Sequence, residues 1–461
     1  MGRLETPRLN DGNFWAGTTV ATLPPAGAED SRVFIAAMEY AFVACGQFGG
    51  NFGGSGWSTS QTTRGDVPET HQGSEYPPVA SSLCNRLGGE PKAAADGTNI
   101  FLLQQCTVDG RTPPFDAPNY SDGVIIAKST DRGHTFPGIA CAICSIDVMN
   151  SLNQHRYCDG TGQNRKVDAP NLVFDVETNQ LFAAWQGTGD GMGHFSRNKS
   201  INKGCNDWEL QHATTLAGPQ LTQRGLSIAT SHVNNVPAGH NRLVVAFWNE
   251  LGANVYIRVS YAVSTDFNAW TDLPPLETTA KTGLVANGQI KHDPRVQLIR
   301  QTRGGAENLV LAYPAYNTST GRNEIHTKYS TDGAASWSSA TLPAVSGYDR
   351  FFPALSTRAD TNEVVLVFYE QLTAGGAIGL LSSAFDVVSH TWSAAILVTT
   401  GAGAPFLPCT IVAGTSLNFF GEYLGAGATF DAAPGAFHWP GWADSRNAPA
   451  ATQVWWAGLA P

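Results

Sequence analysis

The sequence has 461 residues, of which 42% are hydrophobic and only 14% are charged. This composition supplies enough apolar material for a large core and excludes a largely disordered chain. The net charge of −10, from 28 Lys and Arg against 38 Asp and Glu, argues against nucleic acid as a partner, because phosphate binding depends on clustered positive charge. No apolar stretch is long enough to span a membrane, and the N-terminal MGRLETPRLND lacks the apolar segment of a secretory signal.

Short apolar or alternating runs dominate the sequence, and helical periodicity is hard to find. The clearest runs cover, in chain order, residues 99–103, 181–185, 242–248, 308–313 and 363–369. Each is bounded by Gly, Asn, Asp or Pro. Runs of this length between turn residues are typical of strands. The sequence therefore predicts an all-β protein.

A short motif recurs after strand-like runs. It reads STDRGHTF over residues 129–136 and STDGAASW over 330–337, and a looser copy, STDFNAW, spans 264–270. The pattern resembles the Asp-box, or BNR repeat, which in the families that carry it forms the turn between the third and fourth strands of a β-propeller blade. The Asp of such a turn accepts hydrogen bonds from the turn's own backbone, and Gly adopts the positive φ. We therefore expect the motif to be structural.

A second repeat marks the expected start of the innermost strand of each blade. Its copies, four of which contain Pro, are 75–79, 168–172, 231–235, 292–296, 350–354 and 421–425. Six starts predict a single six-bladed β-propeller over residues 1–461, with four-stranded antiparallel blades and Asp-box turns. Residues 1–60 are expected to supply the strand that closes the ring, and residues 137–165 a Cys-containing insertion in the first blade.

The chain has eight cysteines, and an even number together with few lysines is typical of disulfide-bonded proteins outside the cytoplasm. Cys141 and Cys144 have the spacing of a redox or zinc pair, but no second such pair follows at a zinc-finger distance. A disulfide or a buried thiol is the favoured interpretation of this pair. We therefore expect a secreted or periplasmic protein whose leader is absent from this chain.

Six blades with Asp boxes resemble the sialidase superfamily. Propeller sites lie where the innermost strands begin, at one mouth of the channel, so polar residues at these positions are the site candidates. They are Glu75, Asp168, His232, His292, Asp293, Arg295, Arg350, Glu422 and Tyr423. The alternative interpretation is that these residues pair with one another and hold the blades together, because buried charges are costly unless they are paired.

The resemblance to sialidases implies roles for several of these residues. Arg295 and Arg350 would bind the carboxylate of an acidic sugar, because a guanidinium matches a planar carboxylate. Tyr423 would be the nucleophile, Glu422 adjoins it, and Asp168 is an option for the acid/base. The further candidates for substrate binding are His292, His232, Asp293 and Glu75.

Two departures from the sialidase pattern keep other functions open. The segment 75–79 contains no Arg, and Glu422 and Tyr423 are adjacent, so that in a strand they point to opposite faces. The first hypothesis is a sialidase-like glycoside hydrolase that acts on an acidic or modified sugar. The second is a polysaccharide lyase on a uronate-containing glycan, in which Tyr423 with His232 or His292 supplies the base.

The third hypothesis is a non-catalytic propeller that binds a glycan or a protein. Exposed aromatic side chains would form its ligand platform. The candidates for this platform are Trp439, Trp442, Trp455 and Trp456. No cofactor is expected, although a divalent cation at the channel is an option, with His232, His292, Asp168 and Asp293 as its ligands.

Overall fold

The computed structural model describes residues 2–3, 14–24, 26, 32–40, 52–61, 69–70, 92–106, 123–133, 141–149, 155–156, 167–187, 191–198, 208–209, 212–213, 223–233, 236–280, 285–286, 290–291, 295–303, 306–343, 348–357, 363–371, 378–399, 418–419, 425–428, 438–444 and 453–456. For part of these residues it describes the backbone alone. The described residues form strands and turns, which confirms the predicted all-β class. No helix suited to crossing a membrane occurs among them.

The first half of the chain forms a short strand and three antiparallel sheets. The short strand is β1 (Gly2–Arg3). Sheet 1 contains β2 (Phe14–Leu23), β3 (Arg32–Tyr40), β4 (Phe52–Gln61) and β5 (Glu69–Thr70). Sheet 2 contains β6 (Lys92–Ala95), β7 (Ile100–Cys106), β8 (Gly123–Ser129), β9 (Cys141–Met149) and β10 (His155–Arg156). Sheet 3 contains β11 (Val167–Asp175), β12 (Gln180–Gly187), β13 (Gly193–Asn198) and β14 (His212–Ala213).

Four larger antiparallel sheets and one small sheet follow. Sheet 4 contains β15 (Gln223–Ser231), β16 (Arg242–Leu251), β17 (Asn254–Val263), β18 (Thr271–Asp272) and β19 (Glu277–Ala280). Next come β20 (Val285–Ala286) and β21 (Ile290–Lys291).

Sheet 5 contains β22 (Gln297–Arg303), β23 (Ala306–Asn317), β24 (Arg322–Ser330) and β25 (Ser338–Ala340). Sheet 6 contains β26 (Arg350–Thr357), β27 (Glu363–Gln371), β28 (Ile378–Asp386), β29 (Thr391–Trp392) and β30 (Ile396–Leu397). The short β31 (Asn418–Phe419) pairs with β21. Sheet 7 contains β32 (Gly425–Ala428), β33 (His438–Asp444) and β34 (Gln453–Trp456).

The first strands of the sheets pack side by side in a ring. In chain order β2, β6, β11, β15, β22, β26 and β32 each contact the next, and β32 contacts β2. This is the arrangement of a β-propeller. The predicted count of six blades is not confirmed, because the described strands form seven such sheets and residues 14–70 make one of their own.

The ends of the chain meet in sheet 7, where β1 pairs with β34 in the antiparallel direction. The residues 137–165 contribute β9 and β10, which continue sheet 2 at its outer edge. The division into one domain with a closing segment over residues 1–60 stays a prediction. The cysteine side chains lie outside the part of the chain whose side chains are described, so the disulfides stay a prediction as well.

The core lies between neighbouring sheets. The second strands β16 and β27 are buried along most of their length. Trp248 of sheet 4 and Tyr313 of sheet 5 belong to one buried cluster, with Leu309 and Leu311. A sheet that is covered on both faces needs apolar residues in near-continuous runs rather than in alternation. This requirement explains why the runs at 242–248 and 363–369 are recognisable in the sequence.

The first clear copy of the serine–aspartate motif forms a tight turn after β8. The Oγ of Ser129 donates a hydrogen bond to Oδ1 of Asp131 at 2.7 Å and accepts one from the backbone N–H of Gly133 at 2.8 Å. Arg132 and Gly133 have φ of 63° and 89°. The turn thus contains two consecutive residues in the left-handed region.

The second copy forms the same turn after β24. The Oγ of Ser330 donates to Oδ1 of Asp332 at 2.8 Å and accepts from the N–H of Ala334 at 2.9 Å. Gly333 and Ala334 have φ of 67° and 73°. The glycine therefore occupies the first left-handed position in this copy and the second in the other, which explains its shift by one place in the sequence.

The first strand of each sheet runs from one mouth of the ring to the other. We call the mouth at which the first strands begin the entry face, and the mouth at which they end the exit face. In an up-and-down antiparallel sheet the third strand ends at the same face as the first. The contact of the turn after β24 with the end of β15 agrees with this, since a Cβ on Gly333 would lie 2.9 Å from the Oγ of Ser231. The serine–aspartate turns therefore lie at the exit face.

Candidate functional site

Three of the predicted site residues lie at the entry face. Arg350 is the first residue of β26, Asp168 is the second residue of β11, and Arg295 precedes β22 by two positions. Arg295 and Arg350 are buried, with 7% and 8% of their surface exposed. Asp168 is described by its backbone, which pairs with that of Gln186. The inner strands thus begin near these residues, as the sequence predicts.

His232 lies at the exit face instead. It follows Ser231, the last residue of β15, and its ring contacts Asp175, the last residue of β11. The segment 231–235 does not begin an inner strand as predicted, because β15 begins at Gln223. The length of an inner strand therefore separates His232 from Arg350. The predicted residues Glu75, His292, Asp293, Glu422 and Tyr423 lie outside the described residues, and their roles stay predictions.

Arg350 forms a buried ion pair within sheet 6. Its Nε donates to Oε2 of Glu370 at 2.6 Å, and the two residues are direct cross-strand partners. The side chain of Glu370 is 1% exposed, and the guanidinium lies over the ring of Phe368. A charge at such a depth requires a partner. The pairing interpretation of the candidate residues therefore applies to Arg350, at least for its Nε.

A pocket of about 500 Å³ opens beside Arg350, at the entry half of sheet 5. The short β25 pairs only with residues 327–329 of β24, so among the described residues no strand pairs with the entry half of β24 at its outer edge. The polar residues around the pocket include Glu277, Tyr313, Arg322, Glu324, His326 and Arg350. A volume of this size suits a small ligand or one or two sugar units.

A carboxylate from sheet 4 links two side chains of sheet 5 at this pocket. The phenol of Tyr313 donates to Oε2 of Glu277 at 2.6 Å, and Nδ1 of His326 lies 2.7 Å from Oε1 of the same carboxylate. Tyr313 and His326 are cross-strand partners in β23 and β24, so both rings point to the same face of sheet 5. Tyr313 is fully buried, whereas the side chain of His326 is 36% exposed.

These contacts shift the protonation of all three groups. Burial alone would raise the pKa of the Glu277 carboxyl, but the hydrogen bond and charge of His326 and the hydrogen bond of Tyr313 hold it below its usual value. Burial alone would lower the pKa of His326, but Glu277, and after it Glu324, raise it above its usual value. Burial and the charge of Glu277 raise the pKa of Tyr313. His326 and Tyr313 are thus both stabilised in their proton-bearing forms.

Two further charged side chains of β24 lie at the pocket. Oε2 of Glu324 lies 3.5 Å from Nε2 of His326, and its Oε1 accepts a hydrogen bond from Nδ2 of Asn317 at 2.9 Å. The guanidinium of Arg322 lies 5.4 Å from the ring centre of Tyr348. The pocket thus combines two carboxylates, an imidazole and two guanidinium groups.

Sequence reasoning missed the residues of this pocket other than Arg350. Arg322, Glu324 and His326 alternate along β24 and are half-buried, while the residues between them are buried. The recurrence of ionisable side chains at every second position is the signal that points to the pocket, because it indicates that one face of β24 is not core. Nothing in the spacing connects Glu277 to His326, since they meet only across two sheets.

No protein-family model and no curated protein matches the sequence. Among solved structures, the polysaccharide lyase Uly1 matches with a TM-score of 0.48 and 10% identity, over 96% of this chain and 90% of the lyase. The GH93 α-L-arabinofuranosidase of Fusarium graminearum matches with a TM-score of 0.40 and 11% identity, over 64% and 93% of the two chains. The exo-inulinase of Aspergillus awamori matches with a TM-score of 0.37 and 11% identity, over 87% and 93%. At these TM-scores the likenesses assign neither a reaction nor a substrate to this chain.

Proposed function

We propose that the protein is a carbohydrate-active enzyme that hydrolyses a glycan containing a carboxylate-bearing sugar, and that the pocket of Arg322, His326 and Arg350 is its active site. The observation that carries this proposal is the pair of Glu277 and His326. It places an imidazole that is 36% exposed, and whose pKa is raised, in the same pocket as two arginines. A sialic acid is one sugar of this class, and sialidase-like activity is the specific form of the proposal.

The arginines support an acidic substrate. A guanidinium donates two parallel hydrogen bonds to a carboxylate, which fixes both the position and the orientation of the sugar. Arg322 lies at the pocket against Tyr348, and Arg350 is held by Glu370. Because these neighbours already restrict the two arginine side chains, less conformational entropy is lost when a ligand binds.

His326 supports hydrolysis by general acid catalysis. Its Nδ1 faces Glu277 at 2.7 Å, which leaves Nε2, 3.5 Å from Oε2 of Glu324, as the nitrogen for a ligand. In the proposed step the bond between the anomeric carbon and the leaving oxygen breaks while Nε2 delivers its proton to that oxygen. The oxygen of a water molecule then bonds to the anomeric carbon, and its proton passes to the now neutral Nε2 of His326, which restores the acid form. A positioned proton donor contributes about 10²–10⁴-fold to the rate.

The same contacts argue against the other two hypotheses at this pocket. A lyase needs a base that accepts the proton next to the uronate, whereas the pKa values of His326 and Tyr313 are both raised, which favours their proton-bearing forms. Tyr313 is fully buried and donates to Glu277, so it is not the nucleophile either. A purely binding pocket would need no proton donor beside its arginines.

The first experiment measures hydrolysis of fluorogenic glycosides of glucuronic acid and N-acetylneuraminic acid, with the neutral glucoside as the matched control substrate. We expect turnover of an acidic glycoside and none of the glucoside. Turnover of the glucoside alone, or of no glycoside and no acidic polysaccharide, would overturn the proposal. Release of unsaturated uronate from polygalacturonate would show that the protein cleaves its substrate by elimination and not by hydrolysis.

Two arginine variants identify the pocket. Loss of a charged hydrogen bond costs about 1.5–3 kcal/mol, so Arg322→Gln is expected to raise KM for the acidic glycoside roughly 10–100-fold. Arg258→Gln is the matched control, because Arg258 also lies over a tyrosine ring, that of Tyr256, but points to the opposite face of sheet 4 from Glu277, whose cross-strand partner is the adjacent Ile257. Equal kinetics of Arg322→Gln and the wild type would place the active site elsewhere.

A further inference from the structure

A second cluster of ionisable side chains lies at the exit face, where sheets 3, 4 and 5 meet. Asp175 is the last residue of β11, and Glu177 lies in the turn that follows it. His232 directly follows β15. The ring positions of these strands bring the three side chains together, and the proposed active site at the entry face does not use them.

Three ligand atoms of this cluster converge. Nε2 of His232 lies 2.9 Å from Oδ1 of Asp175 and 2.7 Å from Oε2 of Glu177. One atom from each of the three side chains lies within 4.8 Å of the other two. The carboxylate of Asp175 is fully buried, His232 is 20% exposed and Glu177 is 42% exposed. The cluster is therefore anchored in the protein on one side and open to solvent on the other.

The neighbours of Asp175 hold its carboxylate in a fixed orientation. Its Oδ2 accepts hydrogen bonds from Nδ2 of Asn241 at 2.6 Å and from the hydroxyl of Thr178. Its Oδ1 accepts one from the hydroxyl of Thr230 at 3.3 Å. Hydrogen bonds of this kind orient the ligands in metal sites and raise the affinity for the ion.

The cluster has more negative than positive charge. Nε of Arg300 lies 2.6 Å from Oε2 of Glu307, and its Nη2 lies 2.7 Å from Oε2 of Glu177. Three carboxylates thus face one guanidinium. Without an ion, a proton on His232 offsets part of this excess, because burial alone would lower the pKa of the imidazole but Asp175 and Glu177 raise it. An ion that binds Nε2 would displace this proton and meet two uncompensated negative charges, which a divalent ion balances.

Glu307 provides an independent sign that the cluster is incomplete. Its side chain is 5% exposed, and its Oε2 accepts from Arg300 and from the backbone N–H of His232. Its Oε1 is buried, and among the described residues it has no hydrogen-bond partner. A buried carboxylate oxygen without a donor is costly, and a bound ion or an ion-bound water is a group that would satisfy it.

We propose that Asp175, Glu177 and His232 bind a divalent transition-metal ion, of the class of Zn²⁺ or Mn²⁺, at the exit face. The imidazole nitrogen favours these ions, because Mg²⁺ and Ca²⁺ prefer sites made of oxygen ligands alone. The carboxylates come from sheet 3 and the imidazole from sheet 4, so the ion links two neighbouring sheets. Its role is structural, because the inner strands separate it from the pocket.

The test is titration of the full chain with ZnCl₂, followed by calorimetry and by thermal unfolding. We expect one Zn²⁺ ion to bind per chain and to raise the unfolding temperature. MgCl₂ at the same concentration should leave the unfolding temperature unchanged. Absorption of the Co²⁺-loaded protein in the visible range would report nitrogen and oxygen ligands directly. The absence of a stoichiometric Zn²⁺ site would overturn the proposal.

The ligands are identified by matched variants. Glu177→Gln and His232→Gln are each expected to weaken Zn²⁺ binding by more than the roughly 10–100-fold that loss of an outer-shell partner costs. His240→Gln is the control, because His240 contacts Ser264 and is no member of the cluster. Glu177 is exposed enough for its variant to fold. Unchanged Zn²⁺ affinity in Glu177→Gln and His232→Gln would place the metal elsewhere.

Discussion

Nδ1 of His326 lies 2.7 Å from Oε1 of Glu277, and this contact joins sheet 4 to sheet 5. The same carboxylate also accepts a hydrogen bond from the hydroxyl of Tyr313. One residue on a short outer strand therefore raises the pKa of two rings of the next sheet. Because His326 also borders the pocket, the contact connects the stability of the fold to the proposed chemistry.

The rate of hydrolysis should depend on the protonation of His326. Its pKa is raised, so the acid form is present below that pKa and is lost as the pH rises through it. Glu277→Gln removes the largest stabilising contact and should move the alkaline limb of the pH–rate profile to lower pH. Profiles of kcat for the wild type and the variant check this. An alkaline limb at the same pH in both would contradict the role of His326.

The stability of the protein should depend on Glu277 in the acid range. Its folded pKa is lowered, so its contribution is fully present above the unfolded value of about 4.3 and is lost as the pH falls through the folded value. Glu277→Gln should therefore cost about 1–3 kcal/mol at neutral pH and progressively less in acid. Urea unfolding across pH measures this difference. Glu363→Gln, on the second strand of sheet 6, is the control.

Gly333→Ala should destabilise the protein more than Gly252→Ala. Both glycines have a positive φ, so an alanine costs roughly 1–2 kcal/mol at either position. A Cβ on Gly333 would in addition lie 2.9 Å from Oγ of Ser231 and 2.9 Å from Cγ2 of Val233, whereas nothing lies within 4 Å of one on Gly252. The difference between the two free energies of unfolding isolates the contact between sheets 4 and 5. Equal losses would show that this contact relaxes without cost.

Ala334→Gly should leave the stability of the protein close to that of the wild type. Ala334 has a φ of 73°, and glycine relieves this strain of roughly 1–2 kcal/mol. The change also adds an entropic cost of about 0.5–1 kcal/mol and removes a fully buried methyl group, which costs about 0.8 kcal/mol. The exposed neighbour gives the control, since Ala335→Gly has the entropic cost without the relief of a positive φ. Thermal unfolding should place Ala334→Gly near the wild type, and a loss much larger than that of Ala335→Gly would contradict the strain.

Arg350→Met should destabilise the protein by about 3–5 kcal/mol, because it leaves the Glu370 carboxylate buried without its partner. Arg350→Met combined with Glu370→Leu should recover most of this loss, since two apolar side chains replace the pair. A double-mutant cycle in urea unfolding measures the coupling. If the double variant is as unstable as the single one, the cost arises from packing rather than from the isolated charge.

The sequence alone was sufficient for features that depend on neighbours along the chain. The apolar runs at 242–248, 308–313 and 363–369 lie in β16, β23 and β27. The positions of the serine–aspartate turns after β8 and β24 were also predictable, because their hydrogen bonds span at most four residues. Strand period and turn chemistry are local, so a single sequence contains them.

Only the tertiary structure decided the number of sheets and the content of the sites. Sheet 1 escaped prediction because β4, with the sequence FGGSGWSTSQ, lacks an apolar run. His232 was assigned to the wrong face, since a Pro-free segment can end an inner strand as well as begin one. The contact of Glu277 with His326 and that of Asp175 with His232 each join different sheets. Such contacts depend on which strands neighbour each other in the ring, and this order is a property of the packed chain rather than of any segment.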